Sequence, residues 1–118
     1  KLVRAFINKD YKYINKIYSL NISGDFSHAE DICYGIYKLS VIKKNIDLII
    51  LSSGKRFYIN SLIHYLKKYF NYKFAKIRCN KMSNSKIIGS NKNAKKFINY
   101  KSKKNCLIAC KEILKNYS

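Results

Sequence analysis

Tryptophan and proline are absent from this chain, glycine occurs only 4 times in 118 residues, and 6 acidic residues stand against 25 basic ones. Arginine is scarce too. Only Arg4, Arg56 and Arg78 are present, so 22 of the 25 basic residues are lysine. That shortage argues against a nucleic-acid reader, because base edges and bidentate phosphate contacts favour the planar guanidinium fork. A net charge of +19 taken alone would point to a polyanion or an anionic membrane surface. The lysines are nevertheless scattered along the whole chain among Asn, Ile and Tyr. All four residue types have A/T-rich codons, so a biased genome accounts for the charge. No apolar run approaches the roughly 20 residues that a membrane helix needs, and the longest, Ile46 to Leu51, is broken by Asp47. A soluble, cytoplasmic chain without a membrane partner is the expectation.

Chemistry-bearing patterns are missing as well. There is no glycine-rich phosphate loop, no pair of carboxylates at helical spacing and no Ser/His/Asp arrangement, so no catalytic residue is expected from the pattern. Cys33, Cys79, Cys106 and Cys110 have neither the spacing of a disulfide framework nor that of a zinc site, and His28 and His64 lie far from them. Small buried thiols and no metal are expected. The first residue is Lys1, with no secretory segment after it, which reads as a chain that has lost its beginning.

What is present is amphipathic. Leu2, Val3, Phe6 and Ile7 make a short helical stripe, and Lys16 to Asn21 reads as a short strand. Ser27 with Glu30 has the form of a capping box, behind which Ala29, Ile32, Cys33, Ile36 and Leu39 give a helix one buried face through about Ile42. Ile46 to Leu51, ending in Ser52, Ser53 and Gly54, predicts a buried strand and a turn, and Phe57 to Ile59 a second brief strand. Asn60 caps a helix with Leu62, Ile63, Leu66 and Phe70 inward and Lys67 and Lys68 outward. Lys73 to Cys79 alternates weakly through Phe74 and Ile77, and Lys81 to Ser85 is loop-like. A turn at Gly89 to Asn91, a short helix around Asn93 to Phe97 and a final helix capped by Asn105 complete the chain. No internal repeat or domain boundary is visible, so 1–118 is taken as a single domain.

Residue order then adds what composition cannot. Lys1 to Phe6, KLVRAF, resembles the Lys-Ile-Ser-Arg-Ala-Val helix of the GDP-mannose 4,6-dehydratases, which belong to the extended short-chain dehydrogenase/reductases. Ile17 to Asn21, IYSLN, is similar to their Leu-Tyr-Leu-Gly-Asn strand. Asp25 to Leu39, DFSHAEDICYGIYKL, is similar to Asp-Trp-Gly-His-Ala-Lys-Asp-Tyr-Val, the most specific of the matches. Asp47 to Phe70 resembles the Asp-Phe-Val-Ile-Ala-Thr-Gly strand, its turn and helix, and Lys86 to Leu114 the closing Leu-Leu-Gly-Asp pattern with its capped final helix. The resemblance is collinear over nearly the whole chain.

The resemblance implies a small mixed α/β lobe that binds substrate, the C-terminal part of such an enzyme, with the Rossmann lobe largely absent. It implies GDP-mannose as partner and NADP as cofactor, held mainly by a missing N-terminal half, with the complete enzyme a homo-oligomer. The implied reaction, on a route to GDP-fucose, moves a hydride from C4, eliminates water across C5 and C6, and returns the hydride to C6. The family's Tyr-x-x-x-Lys pair lies in that other half. Tyr34 and Lys38 share its spacing but fall on the helix of the substrate half, and are read as helix-surface residues.

By the same resemblance Lys1, Asn21 and Arg78 are the candidate substrate-binding residues, with a surface lysine and a turn Asn as the plain alternatives for the first two. Asp25 and His28 match a structural motif, expected at the start of the helix. Gly24 stands where the family carries a basic residue, and Asn80 and Ser83 align without a gap to its later arginine and acidic companion. Gly54 and Gly89 are read as turn glycines. The rivals are another sugar-nucleotide dehydratase or epimerase, a basic nucleic-acid-binding module, and a degenerate remnant.

Overall fold

Asp10 opens a helix where the apolar pattern had suggested a strand. Its carboxylate accepts a hydrogen bond from the Tyr13 N–H at 3.1 Å, satisfying a first-turn donor that would otherwise be unpaired. The computed structural model describes residues 1–73, 78–80 and 87–117. In it α1 (Leu2–Ile7) is followed by α2 (Tyr11–Leu20), so Lys16 to Leu20 is the second half of a helix and not a strand. The cap at Asp10 and the complete burial of Ile14 outweigh the strand preference of the Ile-Tyr pair. Asn21 ends α2 in the left-handed region, at φ 49° and ψ 52°, a conformation Asn tolerates better than most residues.

The other described elements are β1 (Ser23–Asp25), α3 (Ala29–Ser40), β2 (Arg56–Tyr58), α4 (Ile59–Tyr69), α5 (Lys92–Ile98) and α6 (Cys106–Lys115). β1 and β2 pair with each other as a two-stranded sheet. The chain is thus a small mixed α/β fold in which helices dominate. The expected alternation at Phe74 and Ile77, the 81–85 loop and Ser83 lie outside the described residues.

Two compact units emerge, neither continuous in sequence: one from segments 1–23, 58–85 and 110–118, the other from 24–57 and 86–109. Because each gathers pieces from distant parts of the chain, no change in composition marks a boundary. The first unit has an apolar core of Val3, Ala5 and Phe6 from α1, Ile14 from α2, Leu62, Ile63 and Leu66 from α4, and Cys110 and Leu114 from α6. Aromatic rings extend it. Phe6 stacks on Phe70 at 5.8 Å and meets Tyr72 edge-on at 6.2 Å, while Tyr11 stacks on Tyr72 at 4.6 Å, distances at which such pairs add to plain burial.

The second unit is built differently. Its buried apolar cluster is Ala94, Ile98 and Tyr100, with Leu39, Ile42, Ile49, Leu51 and Phe97 partly buried against it. α3 turns Asp31 and Gly35 toward this core; of the stripe expected to be buried, Leu39 packs against the core and Ile32 is half-buried, while Ala29, Cys33 and Ile36 are exposed. Gly35 explains the rotation. A Cβ there would sit 2.8 Å from Leu51 Cδ1 and 3.1 Å from a ring carbon of Tyr100, so a larger residue at this position would require the Leu51 side chain and the Tyr100 ring to give way. Ile46 to Leu51 forms no strand; Ile49 and Leu51 pack inward, while Leu48 and Ile50 face out.

Candidate functional site

Side-chain amides gather at the C-terminal end of α2. Asn21, held in its left-handed turn, donates from Nδ2 to the Asn80 carbonyl at 3.2 Å, and the Asn80 N–H donates to the Ser19 carbonyl at 2.9 Å. Asn60 completes the cluster. Its Nδ2 donates to the Tyr18 carbonyl at 3.2 Å and to Asn21 Oδ1 at 3.1 Å, with Cys79 Sγ at 3.8 Å. The Cys79 thiol in turn faces the Tyr18 carbonyl at 3.8 Å, and the Tyr18 ring meets His64 edge-on at 5.6 Å. Burial and the adjacent Cys79 thiol raise the pKa of the Tyr18 phenol. Asn60 Oδ1 is buried and accepts no hydrogen bond among the described residues.

Of the candidate substrate residues, Asn21 meets Asn80, the residue that stands in place of the family's arginine, and Arg78 lies exposed two residues before Asn80. Lys1 is elsewhere. It lines a groove of about 250 Å³ with Arg4, Ala5, Asn8, Asp10 and Tyr13, below the size range of sites that enclose drug-sized ligands. The role of Asn60 was missed. The expected cap position belongs to Tyr58, which makes no side-chain cap bond. Asn60 instead sits in the first turn of α4 and reaches back across 39 residues to Asn21, a partnership no local pattern can show.

In the second unit the organising group is Asp25. Its Oδ1 accepts from the Ser53 N–H at 3.0 Å and from the Ser53 hydroxyl, and its Oδ2 from the N–H groups of Gly54 and Gly89, both at 3.0 Å. Burial by itself would raise this carboxyl's pKa. The bonds from the Ser53 hydroxyl and from the backbone of Gly89, Gly54 and Ser53 outweigh it and hold the group below its ordinary value. Asp25 was expected at the start of α3; it instead ties the 53–54 turn to Gly89.

Gly54 has φ +68°, the freedom expected of a turn glycine. Gly89 is glycine for another reason: a Cβ there would lie 2.5 Å from Ser52 Cβ. The α3 cap also differs from the expected Ser27 box. His28 is the N-cap, its Nδ1 accepting from the Glu30 N–H at 3.2 Å. Asp31, 7% exposed, accepts from the N–H groups of Lys103 at 2.8 Å and Lys104 at 2.9 Å and from the Ser102 hydroxyl at 3.2 Å.

Tyr34 and Lys38 make a surface contact, the ammonium 5.5 Å from the ring centre, with Lys103 at 5.9 Å. Of the cysteines, all free, only Cys110 is buried; Cys33 and Cys79 are exposed, because the α3 rotation and the α2–Asn80 contact leave them at the surface. Among the described residues no group of three or more His, Cys, Asp or Glu side chains is arranged to hold a metal, and no helix is long and apolar enough to cross a membrane.

One solved structure matches over 99% of this chain, with a TM-score of 0.66 at 14% sequence identity: the epimerase Mth375 from the thermophilic, pseudomurein-containing methanogen Methanothermobacter thermautotrophicus. This chain shares its fold with part of an epimerase. It spans 38% of the length of that structure's chain. No family profile matches the sequence, and no curated protein matches it either. At 14% identity the likeness is one of fold, and residue roles do not transfer through it.

Proposed function

We propose that this chain is the sugar-nucleotide-binding, C-terminal portion of a dehydratase or epimerase of the extended short-chain dehydrogenase/reductase type, acting on GDP-mannose as a 4,6-dehydratase. The observation that carries the reading is the match of almost the entire chain to about two-fifths of an epimerase structure. The collinear resemblance, from KLVRAF at Lys1 to the capped final helix, supports the substrate. The convergence of Asn21 with the 78–80 segment supports a binding role for the surface beside the amide cluster, where Arg78 is exposed.

In this reading NADP is held mainly by the other part of the enzyme. The backbone N–H groups of Ser53, Gly54 and Gly89 converge as an anion-binding nest would, but the Asp25 carboxylate already fills it. The cofactor then belongs to the other part of the enzyme, and this chain alone is inactive. An epimerase acting on a different sugar nucleotide is the second reading, favoured by the likeness in fold to an epimerase.

Thermal-shift measurements decide between them. GDP-mannose at about a hundredfold over its dissociation constant should stabilise the chain by about 2.7 kcal/mol. Arg78→Ala should weaken that binding about tenfold through loss of a charge-assisted contact. Stabilisation by a UDP- or dTDP-sugar instead selects the second reading. Indifference to every sugar nucleotide, with tight salt-dependent binding to single-stranded DNA, would sink both.

A further inference from the structure

The first unit holds two tyrosines, distant in sequence, in a close stack. Asn71, at φ 49°, turns the chain after α4, and the Tyr72 N–H donates back to the Lys67 carbonyl at 2.8 Å. That turn carries the Tyr72 ring to the start of α2. There it stacks on Tyr11, the first residue of the helix, with ring centres 4.6 Å apart and planes within 13° of parallel. Phe6, from the core, meets the Tyr72 ring edge-on, while Tyr11 is 43% exposed. Tyr65 and Tyr69 also approach each other, but at 6.4 Å and tilted by 31°. The proposed function uses neither Tyr11 nor Tyr72.

We infer that Tyr11 and Tyr72 form a site of oxidative cross-linking, at which a peroxide-driven one-electron oxidant joins the two rings through their ortho carbons as dityrosine. The inference stands apart from the proposed function. Each phenol gives up one electron and its proton to become a phenoxyl radical, whose unpaired spin lies partly on the carbons ortho to the oxygen. Coupling of the two radicals forms one C–C bond and makes both ortho carbons tetrahedral, so the new bond leaves each ring from its face. A stacked pair presents those faces to each other. The two ortho hydrogens then move to the oxygens and restore both phenols. The net loss is two electrons and two protons, which reduce one hydrogen peroxide to two waters. Burial and the neighbouring Tyr11 raise the pKa of the Tyr72 phenol, so it is protonated near neutral pH and its proton leaves with its electron. The exposed Tyr11 gives the oxidant access, and the fold supplies the proximity that two dilute chains lack. All four cysteines are free, so no disulfide already ties the unit, and a bond between residues 11 and 72 would close a long loop as a disulfide does.

The test treats the full chain, dilute, with a haem peroxidase and hydrogen peroxide in excess over its four thiols. Dityrosine fluorescence should appear in the monomer together with the loss of two hydrogens from its mass. Tryptic digestion should yield peptide 10–12 joined to peptide 69–73, with fragmentation placing the bond on Tyr72 and not on Tyr69. Tyr11→Phe and Tyr72→Phe keep a ring in the stack and remove a phenol. Each should leave circular dichroism unaltered and lower the intramolecular yield about tenfold. The cross-linked chain should melt roughly 10 °C above the equally treated Tyr11→Phe variant. Dityrosine that forms equally in both variants, that bridges separate chains and fades on dilution, or that fails to form while the thiols are consumed overturns the inference. None of these outcomes touches sugar-nucleotide binding, which the thermal-shift measurement reads by itself.

Discussion

The two units solve the problem of holding together by different means. The first encloses apolar side chains from four helices, with Ile14, Ile63 and Leu66 wholly shielded and rings stacked around Phe6 and Tyr72. The second has a small apolar cluster around Tyr100 and relies on two carboxylates, Asp25 and Asp31, that each collect several donors from loops distant in sequence. Burial of apolar area is insensitive to pH, whereas a carboxylate anchor is not. The difference teaches where this fold is vulnerable: the first unit to lost volume, the second to lost charge and to crowding.

The largest effect should come from the first unit's core. Ile63→Ala removes a side chain with no exposure, and should lower unfolding free energy in a denaturant titration by about 3 kcal/mol; a loss under about 1 kcal/mol would mean that this core is not closely packed. Next is crowding in the second unit. Gly89→Ala drives a Cβ into Ser52 Cβ, which is fixed to the backbone, and should cost about 2 kcal/mol. Stability unchanged by that substitution would show that Ser52 and Gly89 are not in close approach.

Asp25→Asn comes third, at about 1.5 kcal/mol, because it weakens bonds to a charged acceptor. Its pH signature separates the units. The folded carboxyl has its pKa below the unfolded value of about 3.9, so its contribution is complete above that value and is lost as pH falls through the folded one. Hydrogen exchange on acidification should loosen residues 53–54 and 89 before α4, and Asp25→Asn should remove that step. Loosening of both units together would erase the contrast between them. The smallest effect concerns the final helix: Asn105 Oδ1 accepts from the Ile108 N–H at 3.0 Å, and Asn105→Ala should cost about 1 kcal/mol by thermal unfolding.

Local signals survived best where cap and apolar spacing agree. The helices at Leu2–Ile7, Ile59–Tyr69, Lys92–Ile98 and Cys106–Lys115 stand close to where spacing put them, and Asn105 caps the last as expected. Reading Lys16 to Asn21 as a strand overlooked Asp10, six residues upstream, whose cap starts the helix early enough to absorb the Ile-Tyr pair. The apolar stripe of α3 meets the core only in part, through Leu39, because periodicity counts apolar residues and does not weigh a glycine or a carboxylate with a destination. Gly35 and Asp31 direct that helix, through Leu51, Tyr100 and the 102–104 loop. In the candidate site Asn21 and the 78–80 segment came from resemblance, while Asn60 needed the fold, since its partners lie 39 and 42 residues away.

By itself the sequence determined helix positions, the final cap, the turn glycine at Gly54 and the scarcity of chemistry-bearing side chains, because these depend on contacts within a few residues. Tertiary structure decided which face of α3 is buried, that Asp25 binds a turn and Gly89 in place of its own helix, and that Ile46 to Leu51 stands without a strand partner among the described residues. Each of these depends on groups brought together from distant parts of the chain, where close approach and unpaired donors, not periodicity, choose the outcome.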